Sequence, residues 1–399
     1  MTYKLLNFIW FFILVFINSV TAQDPYFSQF YANRVYLNPA YAGFDPGTTV
    51  TINYRDQWFG IPDGDVAATG GSFRTYNVTA DLQAPCFMQM EDVNMGVSLS
   101  AFRDEAGGMP LVTQGFGLAI SHEQPFWRGS NRSKLRRLDI RAGVQMSMMQ
   151  KSLNGDYFIY SDQLDPVIGL ITDPSILRLQ SRLFPNLNAG VMLRGYHKKS
   201  KDHNTLFTVG LNFANVNEPN ESLRDAAAAA RLPMRATLHA GFTYQVTRYS
   251  GTKSPVFLAP QFRWDRQANS KLNLQTLGAY MFSKGFYTGL FVQYNFPNAP
   301  QTVTSPLGNS FLTRNTTTLI FNTGVDIRSV FDWGVPWRKR DTGVLLGLSY
   351  DINVAGLTSD NTLGALEISL RMNFKKERPK DCAEIGKFEL YRGDCPVRF

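Results

Sequence analysis

Four histidines, three cysteines and a few clustered carboxylates are the residues on which chemistry could rest. Any imidazole base must be His122, His197, His203 or His239. His239 stands on the polar side of an alternating run and could in principle deprotonate a facing serine. No nucleophile with an orienting acid accompanies it, so a hydrogen-bonded structural histidine is the simpler reading. The other three fall in or beside short turns. No Gly-x-Ser-x-Gly elbow, Walker A loop or His-Glu-x-x-His occurs. Asp156, Asp162 and Asp165 offer oxygen ligands of the kind calcium takes, but without the regular register of a calcium loop. Turn formation by Asp and Asn explains them more simply, as it does Asp63-Gly64-Asp65. Met146, Met148 and Met149 read as strand filling, not copper ligands. No catalytic residue, metal site or cofactor is therefore expected, and the chain does not read as an enzyme.

Cys86, Cys382 and Cys395 are too few for a disulfide scaffold. In an oxidising compartment a Cys382–Cys395 bridge closing a short C-terminal loop is the leading expectation. Pairing of Cys86 with either tail cysteine is its rival, and free thiols are the third option.

The elements that position these residues begin after a leader. Lys4, the apolar run Leu5 to Ile17 and the small-residue site Val20-Thr21-Ala22 have the form of a secretory signal over residues 1–22. Its apolar core is short for a membrane helix. No cysteine follows the cleavage site, which disfavours a lipoprotein. The formal charge is +8, or +7 once Lys4 is removed. An exported chain rarely meets nucleic acid, so the placement of that charge matters more than its sum.

Beyond the leader, apolar and polar residues alternate. Val344, Leu346, Leu348, Tyr350 and Ile352 share one face, while Ser349 and Asp351 share the other. Leu366, Ile368, Leu370, Met372 and Phe374 oppose Glu367, Ser369, Arg371 and Asn373. The same period of two runs through 138–148, 236–246 and 319–327. Segments of ten or more residues suit a tilted membrane crossing better than a soluble sandwich. Strands are expected at 48–55, 70–81, 93–102, 112–121, 137–149, 186–194, 205–213, 235–247, 254–265, 271–283, 285–296, 315–328, 341–352 and 362–374. The fold class is thus all-β, a single antiparallel transmembrane barrel of about fourteen strands over 48–374. An even count puts both termini on the periplasmic side, and the longest connections (150–185, 214–234 and 297–314) then fall on the outer side. Trp58, Phe59, Trp127, Trp264, Trp333 and Trp337 lie near strand ends, as interfacial girdles do.

The same topology gathers basic clusters at the periplasmic rim: Arg128/Arg132/Lys134/Arg136/Arg137, His197/Lys198/Lys199/Lys201, Arg338/Lys339/Arg340 and Lys375/Lys376/Arg378/Lys380. They suit anionic headgroups of outer-membrane lipids or simple solubility; the sharper alternative is a docking surface for an acidic periplasmic partner.

Between leader and barrel, residues 23–47 form a segment of their own. Asp24-Pro25 and Asn38-Pro39 each place a capping side chain before a proline, a way short helices begin, and Gly43 can close the second. Phe27, Phe30, Tyr31, Tyr36, Leu37 and Tyr41 make it too apolar for a loose tail. Residues 375–399 form a short periplasmic tail.

The run from Gln23 to Gly43 resembles the opening signature of the PorP/SprF family. Further landmarks are Asn53-Tyr54-Arg55-Asp56-Gln57-Trp58, 160–166, 217–222, 348–351, 364–368 and the terminal Cys395-Pro396-Val397-Arg398-Phe399, which carries an extra Val397. The Ala-rich stretch 226–230 departs from the family pattern. The resemblance implies an outer-membrane barrel of a Gram-negative-type bacterium. It would be an accessory of type IX secretion, acting as adaptor for secretion or surface attachment of cargo with a C-terminal sorting domain, such as a gliding adhesin. The implied periplasmic partners are type IX components or a cell-wall-binding lipoprotein. The residues that could make such contacts are Asp24, Pro25, Phe27, Gln29, Tyr31, Asn38 and Pro39 at the periplasmic mouth, with Arg338, Lys339 and Arg340 in a basic turn. Whether 23–43 docks a partner or packs into the lumen stays open, and the alternative function is a diffusion channel or small-molecule transporter.

Overall fold

The computed structural model describes residues 25–45, 47–60, 71–85, 94–107, 111–129, 135–153, 179–198, 204–223, 230–247, 256–267, 272–283, 285–295, 302–304, 310–312, 316–327, 342–355 and 363–374. Fourteen long strands follow one another: β1 (Thr48–Gln57), β2 (Phe73–Pro85), β3 (Asn94–Ala106), β4 (Leu111–Arg128), β5 (Leu135–Leu153), β6 (Phe184–Lys198), β7 (Asn204–Ala214), β8 (Arg235–Gln245), β9 (Phe257–Gln267), β10 (Asn273–Ser283), β11 (Phe286–Asn295), β12 (Thr316–Asp326), β13 (Thr342–Ala355) and β14 (Ala365–Phe374). Each pairs antiparallel with its neighbours in sequence. β1 closes on β14 from Thr48 opposite Phe374 to Gln57 opposite Ala365, so the sheet has no free edge. All fourteen expected strands form, and together they are a closed barrel. Among the described residues no helix is long and apolar enough to cross a membrane.

The barrel is inside-out relative to a soluble protein. Val144 and Met146 are more than half exposed on the outer surface, whereas Asp139 and Arg141 on the other face of β5 are almost wholly buried. Leu346, Leu348 and Ile368 face outward, while Ser349, Asp351, Glu367 and Ser369 face the lumen. Apolar side chains therefore meet lipid, and polar ones meet the interior.

The strand ends differ from expectation most in the β4–β5 hairpin. β4 runs to Arg128, well beyond residue 121. The polar stretch His122–Pro125 hid the continuation, because Pro125 suggests a stop. The strand accommodates it at a bulge, where the register against β5 shifts between Pro125 and Trp127. Two connections contain extra pairing: Leu179–Gln180 pairs with Ser152 and Leu153, and Thr302–Thr304 pairs with Ser310–Leu312.

Two rims follow. The terminal rim is where Thr48 and Phe374 meet, and the loop rim is where Gln57 and Ala365 meet. The connections β5–β6, β7–β8 and β11–β12 open on the loop rim. Long loops face outward in bacterial barrels, which makes that rim extracellular.

Candidate functional site

The interior is occupied by residues 25–45. Their course can be read from the wall residues they meet. Ser28 and Gln29 offer backbone N–H groups to Glu367, at 2.7 and 3.2 Å, two residues from the loop-rim end of β14. Asp45 meets Arg371, towards the terminal rim. The segment therefore descends the whole barrel, with Pro25 and Tyr26 uppermost, rather than sitting at the periplasmic mouth. A lumen lined with hydrogen-bonding groups and a block of aromatics can solvate a backbone along its length; a mouth cannot.

Near the loop rim the contacts are ionic. Arg55 lies 2.8 Å from Asp351 and 3.3 Å from Glu367, and donates to Ser28 Oγ at 2.6 Å. Ser28 Oγ–H in turn donates to Asp351. Arg263 pairs with Asp265 at 2.5 Å, donates to the Phe27 carbonyl at 3.3 Å and lies 4.3 Å from the Tyr26 ring centroid.

Phe30 and Tyr31 then enter an apolar sector of wall. Tyr31 packs edge-on against Tyr280, with centroids 4.5 Å apart, and its hydroxyl lies 2.8 Å from that of Tyr287. Phe30 meets Phe291 edge-on at 6.0 Å.

A single helical turn, α1 (Arg34–Leu37), follows. Asn38 then caps the 3-10 turn Pro39–Tyr41, its Oδ1 accepting from Ala40 N at 2.9 Å. Gly43 closes the turn with φ +57°, a conformation side chains disfavour. This capping device forms as its sequence suggests. At the first one no helix begins at Pro25 among the described residues, and its capping residue Asp24 lies outside them. α1 starts instead at Arg34, and its preceding residue Asn33 makes no side-chain cap.

Asn38 also anchors the segment. Its Nδ2 lies 3.3 Å from the carbonyl oxygens of Val191 and Leu211, and 3.1 Å from His239 Nε2. An amide donor there makes Nε2 an acceptor, so His239 is a structural histidine and not a base awaiting a serine. The wall is recessed at this level. Gly143 of β5 stands opposite Gly190 of β6, and a Cβ on Gly143 would fall 2.5 Å from Ala40 N and from the Pro39 carbonyl. Below, the Ala42 carbonyl accepts from Ser121 Oγ at 2.7 Å and from Arg141, which pairs with Glu123 at 2.8 Å. Arg34 spans to Asp45 at 3.1 Å and lies 5.1 Å from the Phe44 ring centroid.

Above Tyr26 the lumen opens into a cavity of about 430 Å³ at the loop rim, whose walls include Trp58, Phe73, Asp104 and Lys151. Among the described residues no three His, Cys, Asp or Glu side chains converge as metal ligands.

Of the residues singled out as partner contacts, Phe27, Gln29, Tyr31, Asn38 and Pro39 are buried in the lumen, and Pro25 lines the loop-rim cavity. Asp24, Arg338, Lys339, Arg340, Cys86, Cys382 and Cys395 lie outside the described residues. Arg137 does not join a basic rim: it is buried, paired with Asp139 and 3.7 Å from Glu123. Trp58 and Phe59 follow β1 at the loop rim, Trp127 is exposed near the terminal rim, and Trp264 donates to Asn273 at 2.7 Å; Trp333 and Trp337 lie outside the described residues. Sequence reasoning missed the wall groups that hold the segment, above all Arg55, Glu123 and Arg263. Their signal was present as charges of both signs on lumen faces, as in Asp139/Arg141 and Glu367/Arg371.

Closed strands, a lipid-facing apolar surface and a polar interior define an outer-membrane β-barrel, one whose lumen its own N-terminal segment fills. More particularly, the chain belongs to the family of type IX secretion system membrane proteins PorP/SprF, which matches residues 19–372. No curated protein matches the chain by sequence. Similar solved structures include a FadL homologue of Pseudomonas aeruginosa (12% identity, 85% of this chain and 92% of that one, TM-score 0.39). The TodX monoaromatic hydrocarbon channel with the deltaS2S3 mutation gives 11% identity, 86% and 94% coverage and a TM-score of 0.42. The transport unit of the autotransporter AIDA-I from Escherichia coli gives 10%, 87% and 97%, and 0.36.

Proposed function

We propose that this outer-membrane component of type IX secretion is a non-enzymatic adaptor. In this reading it holds an exported protein with a C-terminal sorting domain, such as a gliding adhesin, for secretion or surface attachment, and couples it to periplasmic type IX components or a cell-wall-binding lipoprotein. The observation that carries the reading is the filled lumen. An open diffusion channel or small-molecule transporter needs a continuous aqueous path, and residues 25–45 occupy that path with buried side chains bonded to the wall. A barrel sealed by its own chain has its surfaces, loops and tail left for contacts with other proteins. The basic turn Arg338-Lys339-Arg340 and the tail with Cys382 and Cys395 are the proposed periplasmic contacts.

The test is a pull-down of the chain from native envelopes in mild detergent at moderate salt, with mass spectrometry of what stays bound. Recovery of a protein with a C-terminal sorting domain, or of a periplasmic cell-wall-binding lipoprotein, is the expected result. A clean barrel that conducts ions steadily in planar bilayers would instead favour the channel.

A further inference from the structure

The cavity at the loop rim takes no part in sealing the barrel or in the proposed contacts with other proteins. It measures about 430 Å³, a size at which small ligands are held. One of its walls is built against backbone preference. Trp58 adopts φ +64°, a left-handed conformation that bulky side chains rarely take. Thr51, Asn53 and Arg55 of β1 point inward and Ile52 outward, so plain alternation would carry residue 58 to the lipid side. The turned backbone instead sets the indole edge-on against Phe73, another cavity residue, with centroids 5.1 Å apart. The Trp58 backbone N–H donates to the Gly364 carbonyl at 2.6 Å, which holds the turn in place. Strain of this kind concentrates at binding sites. The remaining wall is polar but balanced in charge. Among the described residues, Arg55, Lys151 and Arg235 are matched by Asp104, Asp265 and Asp351. Arg55 pairs with Asp351 at 2.8 Å, Lys151 with Glu221 at 2.7 Å, and Asp104 accepts from Thr75 Oγ1 at 2.6 Å. The amides of Gln57, Gln293, Asn295 and Asn353 stand among them.

We propose that this vestibule binds a neutral carbohydrate, a unit of one or two sugar rings presented from the extracellular side. Other classes of ligand each meet an obstacle. An ion finds no net charge on the wall to draw it in. A hydrocarbon would cover the amides and charged groups without offering them hydrogen bonds, at the full cost of their desolvation. An extended peptide is commonly held along an open strand edge, and the closed sheet has none. A sugar ring carries hydroxyls that both donate and accept, set around a face of C–H groups. The hydroxyls match the amides and the paired charges, and the C–H face matches the indole of Trp58. Sugar binding at this rim is independent of the adaptor role and stands or falls separately from it.

The test uses the whole protein, purified from native envelopes as a folded barrel in a detergent with no sugar headgroup. Calorimetric titration with glucose, galactose, N-acetylglucosamine, maltose, cellobiose and lactose is expected to show saturable binding of at least one of them. Trp58→Ala should weaken that binding about tenfold, the scale of one lost aromatic contact. Thr113→Trp, which puts a large ring into the cavity from β4, should abolish it, and both variants should remain heat-modifiable barrels. Absence of binding by all six sugars at millimolar concentration would overturn the proposal. Binding that survives both substitutions would also overturn it, because the sugar would then sit elsewhere. What leaves the native barrel on denaturation identifies the source. A released glycan marks the cell's own surface sugars, whereas binding of added sugar with nothing released marks sugars of the medium; either upholds the site. Release of a peptide, with no sugar bound, would assign the vestibule to a peptide and overturn the carbohydrate.

Discussion

Two sectors of the same lumen wall hold the segment in different ways. On the β9–β12 side, Phe257, Ala259, Tyr280, Phe282, Tyr287, Phe291 and Ile320 form one cluster with Phe30, Tyr31 and Leu37. On the side running from β13 through β14 and β1 to β5, the wall offers Asp351, Glu367, Arg55, Glu123 and Arg141, and receives backbone groups and Ser28. Apart from Arg263, which donates to the Phe27 carbonyl, and the Tyr31–Tyr287 hydroxyl contact, the apolar sector is non-directional: it favours any aromatic of suitable size. The polar sector is directional, because each donor or acceptor left without its partner carries a desolvation cost. Affinity thus comes mainly from one wall, and register mainly from the other.

The largest effect is expected where the polar wall has no side chain at all. In Gly143→Ala the new Cβ meets backbone, Ala40 N and the Pro39 carbonyl at 2.5 Å, which cannot swing aside as a flexible side chain could. The segment should fail to seat while the strand pairs of β5 remain. Steady conductance in planar bilayers, with protease cleavage within 25–45 of a still heat-modifiable barrel, is the expected pair of results. A variant as silent and as protected as the native chain would show that the recess at Gly143 does not set register.

Next comes Arg55→Ala. It strands two buried carboxylates, Asp351 and Glu367, that share this guanidinium. Breaking a buried ion pair by removing one partner typically costs about 3–5 kcal/mol. The unfolding midpoint of the purified barrel should fall accordingly. If Arg55→Ala costs no more than an exposed substitution, the polar wall does not position the segment.

The comparison also explains what was legible. The lipid face could be read directly, since Val344, Leu346, Leu348 and Ile352 repeat at the strand period without interruption. Capping at Asn38-Pro39 was legible because it is local. The threading was not: Glu367, which holds Ser28, and Val191, which holds Asn38, lie more than 150 residues away from them, and alternation says only that they belong to strands. Glycines were the least legible. Gly143 and Gly190 look like any strand glycine until the segment lies against them. The aromatics Tyr280 and Phe291 line the lumen, which alternation does not reveal until something apolar is seen to fill it.

The smallest effect separates the two modes of holding at one residue. Tyr31 belongs to the apolar cluster, yet its hydroxyl donates to Gln29 Oε1 at 3.1 Å and meets the Tyr287 hydroxyl at 2.8 Å. Gln29 Oε1 keeps a second donor, Ser369 Oγ at 2.6 Å, so Tyr31→Phe leaves no acceptor orphaned. About 1 kcal/mol is expected, the net worth of an ordinary hydrogen bond. Tyr31→Ala removes the ring from its contacts with Tyr280 and Tyr287 and should cost about 3–5 kcal/mol, as other large aromatic truncations do. Denaturant unfolding of the two variants checks the split. A Tyr31→Phe loss as large as the alanine loss would mean that the hydroxyl, not the ring, anchors the segment on this side. The division between a wall for affinity and a wall for register would then have to be abandoned.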